Sequence, residues 1–278
     1  MTSTARIIPF AALFACAHGA PAPGPVRAYA EVNGLHMYYE IHGQGRPILL
    51  LHGGFGGLSF WSKTLPALAK EHRVIAPEQM GHGRTADLPS RQFSYPQMAE
   101  DTAALLAQLG VESVDVVGMS DGGIVGYLLA IDHPSLVRRL VTSGANVDGE
   151  GLPPPKTGEV KPEQVPKMFR DDYEELSPDG PQHYVAFINR VAAMWRRYPY
   201  VERGKLAGIR CPTLIILGDH DFFPVEVGQH IAHAIPGAQL MVVPGAGHGT
   251  FMQRPELMNL AVLQFLDSEP PPVPDHIP

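Results

Sequence analysis

The segment Gly118-Met119-Ser120-Asp121-Gly122-Gly123 sets a serine between glycines, after a valine-rich run (114–117) and before an apolar helical pattern (124–130). A G-x-S-x-G sequence at a strand-to-helix turn exposes a hydroxyl on a sharp bend, where it can act as a nucleophile. Serine at its ordinary pKa is a weak nucleophile and needs a base, itself oriented by a carboxylate. With this turn the partners follow in the order Ser, Asp or Glu, His. The chain offers them in that order at two further strand ends, Gly218-Asp219-His220-Asp221 and Pro244-Gly245-Ala246-Gly247-His248-Gly249. His248 is the candidate base and Asp221 the candidate acid. Asp221 stands three positions beyond Gly218 and can reach across its loop, whereas Asp219 suits a bond to its own turn. Asp148, after the preceding strand, is the third choice.

Attack on a carbonyl also needs two donors for the developing oxyanion. One is the backbone N–H of Asp121, after the nucleophile. The other comes from Leu51-His52-Gly53-Gly54-Phe55-Gly56-Gly57, whose four glycines allow close backbone approach; Gly54 is assigned, with Phe55 as the neighbour that could replace it. Phe55, Asp121 and Trp195 are candidate substrate contacts. The Asp121 carboxylate is expected either to cap its helix or to attract a cationic acyl group.

The elements that must position these residues alternate. An antiparallel hairpin spans 28–42, with Asn33-Gly34 at its turn. Short apolar strands follow at 48–51, 74–76, 114–117, 140–142, 213–217 and 240–243, separated by helical patterns at 60–71, 95–109, 124–132, 225–234 and 255–267. Continuous apolar runs suit parallel strands buried on both faces. The expectation is an α/β fold, a mostly parallel sheet with helices on both faces. The alternation breaks after the sixth strand, where 147–206 opens in a Gly/Pro/Lys-rich stretch and continues in helices around 166–175 and 182–198. This is read as a helical cap over the carboxyl ends of the strands, where ligands bind in open α/β sheets. The core is then 28–146 and 207–268.

The chain has 278 residues, 45% of them apolar, and a formal net charge of −7. No basic patch marks it as a nucleic-acid binder. Thirteen histidines include His230 and His233 at helical spacing, but no zinc pattern joins them. His52 and His82, in glycine-rich loops, are expected to bond backbone. Residues 1–27 combine a basic start, an apolar stretch (7–17) and a Pro/Ala spacer. This is the layout of a secretory signal and linker, so the expectation is an exported protein, with a cytoplasmic one as the alternative. Leu13-Phe14-Ala15-Cys16 resembles a lipoprotein processing box, which would make Cys16 a lipid anchor, although Phe14 is unusual there. A Pro-rich tail follows at 269–278.

Leu51-His52-Gly53-Gly54, Ala76-Pro77 with Gly81-His82-Gly83-Arg84, Gly118 to Gly123, and Gly245 to His248 resemble the α/β-hydrolase fold family over residues 28–268. Met119-Ser120-Asp121-Gly122-Gly123 and Ser143-Gly144-Ala145-Asn146 are most similar to serine esterases near its biphenyl-hydrolase-like (valacyclovirase-type) branch. The resemblance implies a Ser–Asp–His hydrolase acting without a cofactor, with a small-molecule ester as substrate. Glu78-Gln79-Met80 departs from the Asp and Arg common at that loop. Carbon–carbon bond hydrolysis, lactone opening and cofactor-free perhydrolysis on the same triad are the alternatives. A non-catalytic receptor fits least, having no need of Asp221.

Overall fold

The computed structural model describes residues 24–151, 158–197 and 199–269. Most of the stretch read as a signal and linker, Cys16 and nearly all of the Pro-rich tail lie outside the described residues. Eight strands form one sheet in the order β1-β2-β4-β3-β5-β6-β7-β8. They are β1 (Val26–Val32), β2 (Leu35–His42), β3 (Arg46–Leu51), β4 (His72–Pro77), β5 (Val114–Met119), β6 (Val137–Ser143), β7 (Thr213–Gly218) and β8 (Gln239–Val243). β1 and β2 pair antiparallel, as do β2 and β4, and every other pairing is parallel. At the hairpin turn Asn33 and Gly34 both have positive φ (49° and 78°), the backbone a two-residue type I′ turn demands.

The helices are α1 (Leu65–Leu68), α2 (Tyr95–Gln108), α3 (Asp121–Asp132), α4 (Lys167–Leu176), α5 (Tyr184–Trp195), α6 (Val225–Ala234), α7 (Thr250–Gln253) and α8 (Pro255–Asp267). Successive side chains of a strand point to opposite faces, and β3 shows the result. Leu49 and Leu51 join the core layer under α2, α3 and α6, while Ile48 and Leu50 join the layer under α1 and α8. α3 is apolar all round because it is buried along its length from Asp121 to Ala130.

The helix expected over 60–71 is a correction. The structure has a 3-10 turn at Leu58–Trp61 and then only the single turn α1. Pro66 lacks the N–H that a continuous helix would need. Phe60 and Trp61 are buried instead by edge-on ring packing, with Trp61 against Phe251 at 5.0 Å.

α4, α5 and three 3-10 turns occupy the stretch between β6 and β7. α5 buries Tyr184, Phe187, Ile188, Val191, Ala192 and Met194. Phe187 packs edge-on against His82 at 4.9 Å and stacks on Tyr173 of α4 at 4.7 Å. Arg190 of α5 pairs with the buried Asp87 on the body of the protein.

Parallel pairing brings the carboxyl ends of β3, β5, β6, β7 and β8 to one edge, with Leu51 opposite Gly118, Met119 opposite Ser143 and Gly218 opposite Val243. The start of α3 is pressed against the end of β3. A Cβ on Gly122 would lie 2.1 Å from the Leu51 carbonyl oxygen and 2.7 Å from that of His52. Both obstacles are backbone and cannot swing aside. Gly122→Ala is expected to lower unfolding stability by about 3 kcal/mol, measured by urea denaturation.

Candidate active site

Ser120 ends β5 with φ 52° and ψ −119°, a left-handed backbone that a residue with a Cβ seldom adopts. Its N–H is held by the Ser143 carbonyl at 2.8 Å, continuing the β5–β6 ladder. Its own carbonyl accepts the N–H groups of Gly123 and Ile124 and so starts α3. Strand on one side and helix on the other fix the bend, and the side chain is pushed out over the sheet edge.

There Ser120 Oγ lies 3.0 Å from His248 Nε2. The opposite nitrogen, Nδ1, lies 3.0 Å from Asp221 Oδ1 and 3.3 Å from Oδ2. A carboxylate only accepts, so Nδ1 carries the proton and Nε2 is left to accept from the serine hydroxyl. The Asp221 side chain is fully buried, and the Phe223 N–H donates to its Oδ1 at 3.3 Å. Asp219 is engaged elsewhere, accepting the Ala246 N–H at 3.1 Å. Backbone donors from Gly245 and Ala246, with His220, hold its carboxyl down at about 2. Asp148 pairs with Arg203.

The loop after β3 is held by His52, which, like His82 beside it, stays neutral. Burial drives His52 down to about 4 and His82 to about 3. His52 Nε2 accepts the Gln79 N–H at 3.1 Å, so its Nδ1–H donates to the Gly53 carbonyl at 2.9 Å. Phe55 adopts φ 62°. Buried Glu78 accepts the N–H groups of Leu58 and Arg84 and so ties this loop down.

Asp121, 7% exposed, is placed differently from a bare charge waiting for a cation. Trp195 Nε1–H, from the end of α5, donates to both carboxylate oxygens at 3.0 and 2.9 Å, and the Tyr95 hydroxyl donates to Oδ1 at 2.9 Å. Gly54 closes the group. A Cβ there would fall 2.5 Å from Trp195 Cζ2 and 2.6 Å from Asp121 Oδ2. The two residues assigned as oxyanion donors, Gly54 and Asp121, are thus packed together under one indole ring. Phe55 lies against that ring, with centroids 4.6 Å apart.

These residues form the floor and one wall of a cavity of about 610 Å³. The rest of its lining is mostly apolar and includes Ile124 of α3, Phe169 of α4, Ala192 of α5, and Phe222, Phe223 and Met252. Sequence reasoning missed Tyr95, Phe222 and Asn146. Phe222, 56% exposed, lies over the His248 ring at 4.2 Å, and its position beside Asp221 was the available signal. For Tyr95, on a helix remote in sequence, there was none. Phe55, Asp121 and Trp195 all line the cavity. His230 pairs with Glu150, and among the described residues no group of three His, Cys, Asp or Glu side chains could hold a metal ion. No helix among them is long and apolar enough to cross a membrane.

Burial raises the Asp121 carboxyl from its usual 3.8 to about 6, against the opposing effects of Trp195, Tyr95 and His248. A folded-state pKa above the unfolded one contributes stability that is present below pH ~4 and lost as pH rises through 6. Asp121→Asn removes that dependence. Relative to the variant, the wild type is expected to lose about 3 kcal/mol between pH 4 and pH 7, measured by urea denaturation of both proteins at each pH.

The family model for the α/β-hydrolase fold matches residues 46–199. The RutD protein of Azorhizobium caulinodans, which carries the name of a carbamate hydrolase, is 31% identical, over 85% of this chain and 97% of its own. A 2-hydroxy-6-oxononadienedioate/2-hydroxy-6-oxononatrienedioate hydrolase of Pseudomonas putida is 28% identical, over 84% of this chain and 92% of its own. The structure of an N-acyl homoserine lactone degrading enzyme superposes with a TM-score of 0.70 at 26% identity, over 85% of this chain and 99% of its own. Sequence, topology and the geometry at the carboxyl edge of the sheet agree: this chain is a hydrolase and belongs to the α/β-hydrolase fold family, on its biphenyl-hydrolase-like branch.

Proposed function

We propose that the protein hydrolyses uncharged, largely apolar carboxylic esters, cyclic esters (lactones) included, through an acyl-enzyme on Ser120. The observation that carries this reading is the 3.0 Å contact between Ser120 Oγ and His248 Nε2 on the floor of an apolar cavity of about 610 Å³. His248 takes the hydroxyl proton as Ser120 attacks the carbonyl, then returns it to the leaving alcohol. Water repeats the cycle on the acyl-enzyme. Asp221 holds the imidazole tautomer and stabilises the imidazolium. The N–H groups of Asp121 and Gly54 receive the oxyanion, each worth roughly a hundred- to a thousandfold in kcat. The inserted helices α4 and α5 act as a cap that shields the reacting carbonyl from bulk water.

Size and charge separate this reading from the reactions in the relatives' names. The apolar walls of the cavity reward a large hydrocarbon group, and the carbamate in a relative's name specifies none. A dioate would bring two carboxylates against a described lining that holds Arg196 together with Asp121. Carbon–carbon bond hydrolysis remains the second reading, favoured by the Pseudomonas putida relative. The lactone-degrading structural relative has a neutral cyclic ester as its named substrate.

Ser120→Ala and His248→Ala are each expected to lower ester turnover by at least about a thousandfold. Asp221→Asn should cost on the order of ten thousandfold, by imposing the wrong tautomer. Asp219→Asn should stay within about tenfold of wild type, since its bonds go to a loop. Steady-state kinetics on a chromogenic ester measures all four.

For a straight-chain ester series, kcat/KM should rise roughly fourfold per methylene until the cavity is filled, at about 0.8 kcal/mol per buried CH₂. Failure to turn over any neutral ester or lactone, with cleavage of a 2-hydroxy-6-oxodienoate instead, would replace this reading by the second.

A further inference from the structure

Asn146 stands three residues past the end of β6, in the wall of the cavity. It is 1% exposed, and neither Oδ1 nor Nδ2 has a hydrogen-bond partner among the described residues. Its neighbours on the same strand end are not like this. The Thr142 hydroxyl is paired with Tyr127 Oη at 2.8 Å, and the Ser143 hydroxyl with Thr250 Oγ1 at 2.8 Å. The backbone around Asn146 is also fixed. The Gly144 N–H bonds the Ile216 carbonyl at 3.0 Å, and the Val147 carbonyl accepts the N–H groups of Tyr200 and Val201 at 2.8 and 2.9 Å.

A buried carboxamide with no partner destabilises a fold, and leucine has the same branched skeleton without that penalty. Its place in the lining of a mostly apolar cavity supplies a use for it. We propose that Asn146 is a specificity-determining residue whose side-chain amide pairs with a secondary amide in the substrate. A carboxamide offers both an acceptor and a donor, and a trans secondary amide, whose C=O and N–H point in opposite directions, can meet either one of them. A ketone meets the donor alone, and a methylene meets neither. Asn χ2 is a broad torsion, so turning the amide from under the wall toward a bound group costs little. The substrate class narrows to apolar esters that carry a –CO–NH– group within a few bonds of the ester.

This inference rests on ester hydrolysis at Ser120, and the test separates the two. One pair of substrates carries the amide on the acyl side, the 4-nitrophenyl esters of N-butanoylglycine and of heptanoic acid. The other carries it on the alcohol side, the butanoate esters of N-(2-hydroxyethyl)butanamide and of heptan-1-ol. Turnover of the heptanoate and heptyl esters by the wild type tests the ester reading by itself. The amide-to-hydrocarbon ratio of kcat/KM tests Asn146, because changes in overall catalysis cancel in it. In Asn146→Leu the ratio should fall tenfold or more in at least one pair, with hydrocarbon turnover retained. Asn146→Ala carries the same comparison should leucine prevent folding, which circular dichroism reports. A ratio within twofold of wild type in both pairs overturns the proposal while leaving ester hydrolysis intact.

Discussion

The left-handed turn at Ser120 is the constraint to which the surrounding structure is fitted. Such a backbone costs about 1–3 kcal/mol and persists only where its neighbours leave no alternative. Here β6 holds the serine N–H, α3 begins on the serine carbonyl, and the contact of Gly122 with the end of β3 blocks any relaxation of the turn. One distortion has two effects. It lifts Oγ to within 3.0 Å of His248, and it starts a helix whose first free N–H, that of Asp121, lies beside the loop after β3. The Ser120 hydroxyl and the Asp121 N–H are therefore placed by the same bend.

Two aspartates two residues apart do unlike work, and their partners explain why. Asp219 is exposed enough to be wet and is tied to backbone N–H groups of the loop after β8, so it fastens the loop that carries His248. Asp221 is buried and faces the imidazole. Fastening and orienting are separate tasks: Asp219 bonds the loop, and only Asp221 bonds the imidazole. Phe222 then covers the open face of the ring, leaving Nε2 directed at the serine.

The sheet and the triad were legible because both depend on local sequence. Continuous apolar runs, glycines at turns and Asn-Gly in the hairpin act within a few residues, and parallel order brings all strand ends to one edge. The region between β3 and β4 was not legible. Apolar residues at 60–71 have helical spacing, yet Pro66 and the burial of Trp61 against a helix 190 residues away decide the outcome. Tyr95 was hidden for the same reason, since nothing in α2 announces a partner at the start of α3. Asn146 lies within a family-like tetrapeptide, but its significance lies in what does not bond to it, a property that no spacing can reveal.

Asp121 shows how one residue type supports opposite readings until its partners are known. A carboxylate next to a nucleophile suggests attraction of a cation when only the sequence is available. In the fold, the indole of Trp195 and the hydroxyl of Tyr95 both point their protons at it, and burial still raises its pKa to about 6. Its charge is thus directed into the protein, toward a helix that follows β6 by some forty residues of chain. The same bonds place the indole against Gly54, where no side chain would fit. The position of α5 is thereby referred to the loop after β3, and the cavity wall is set by Gly54 and Asp121. An apolar cavity beside a buried carboxylate is consistent on this account: the carboxylate serves the wall, bonded to Trp195 and Tyr95.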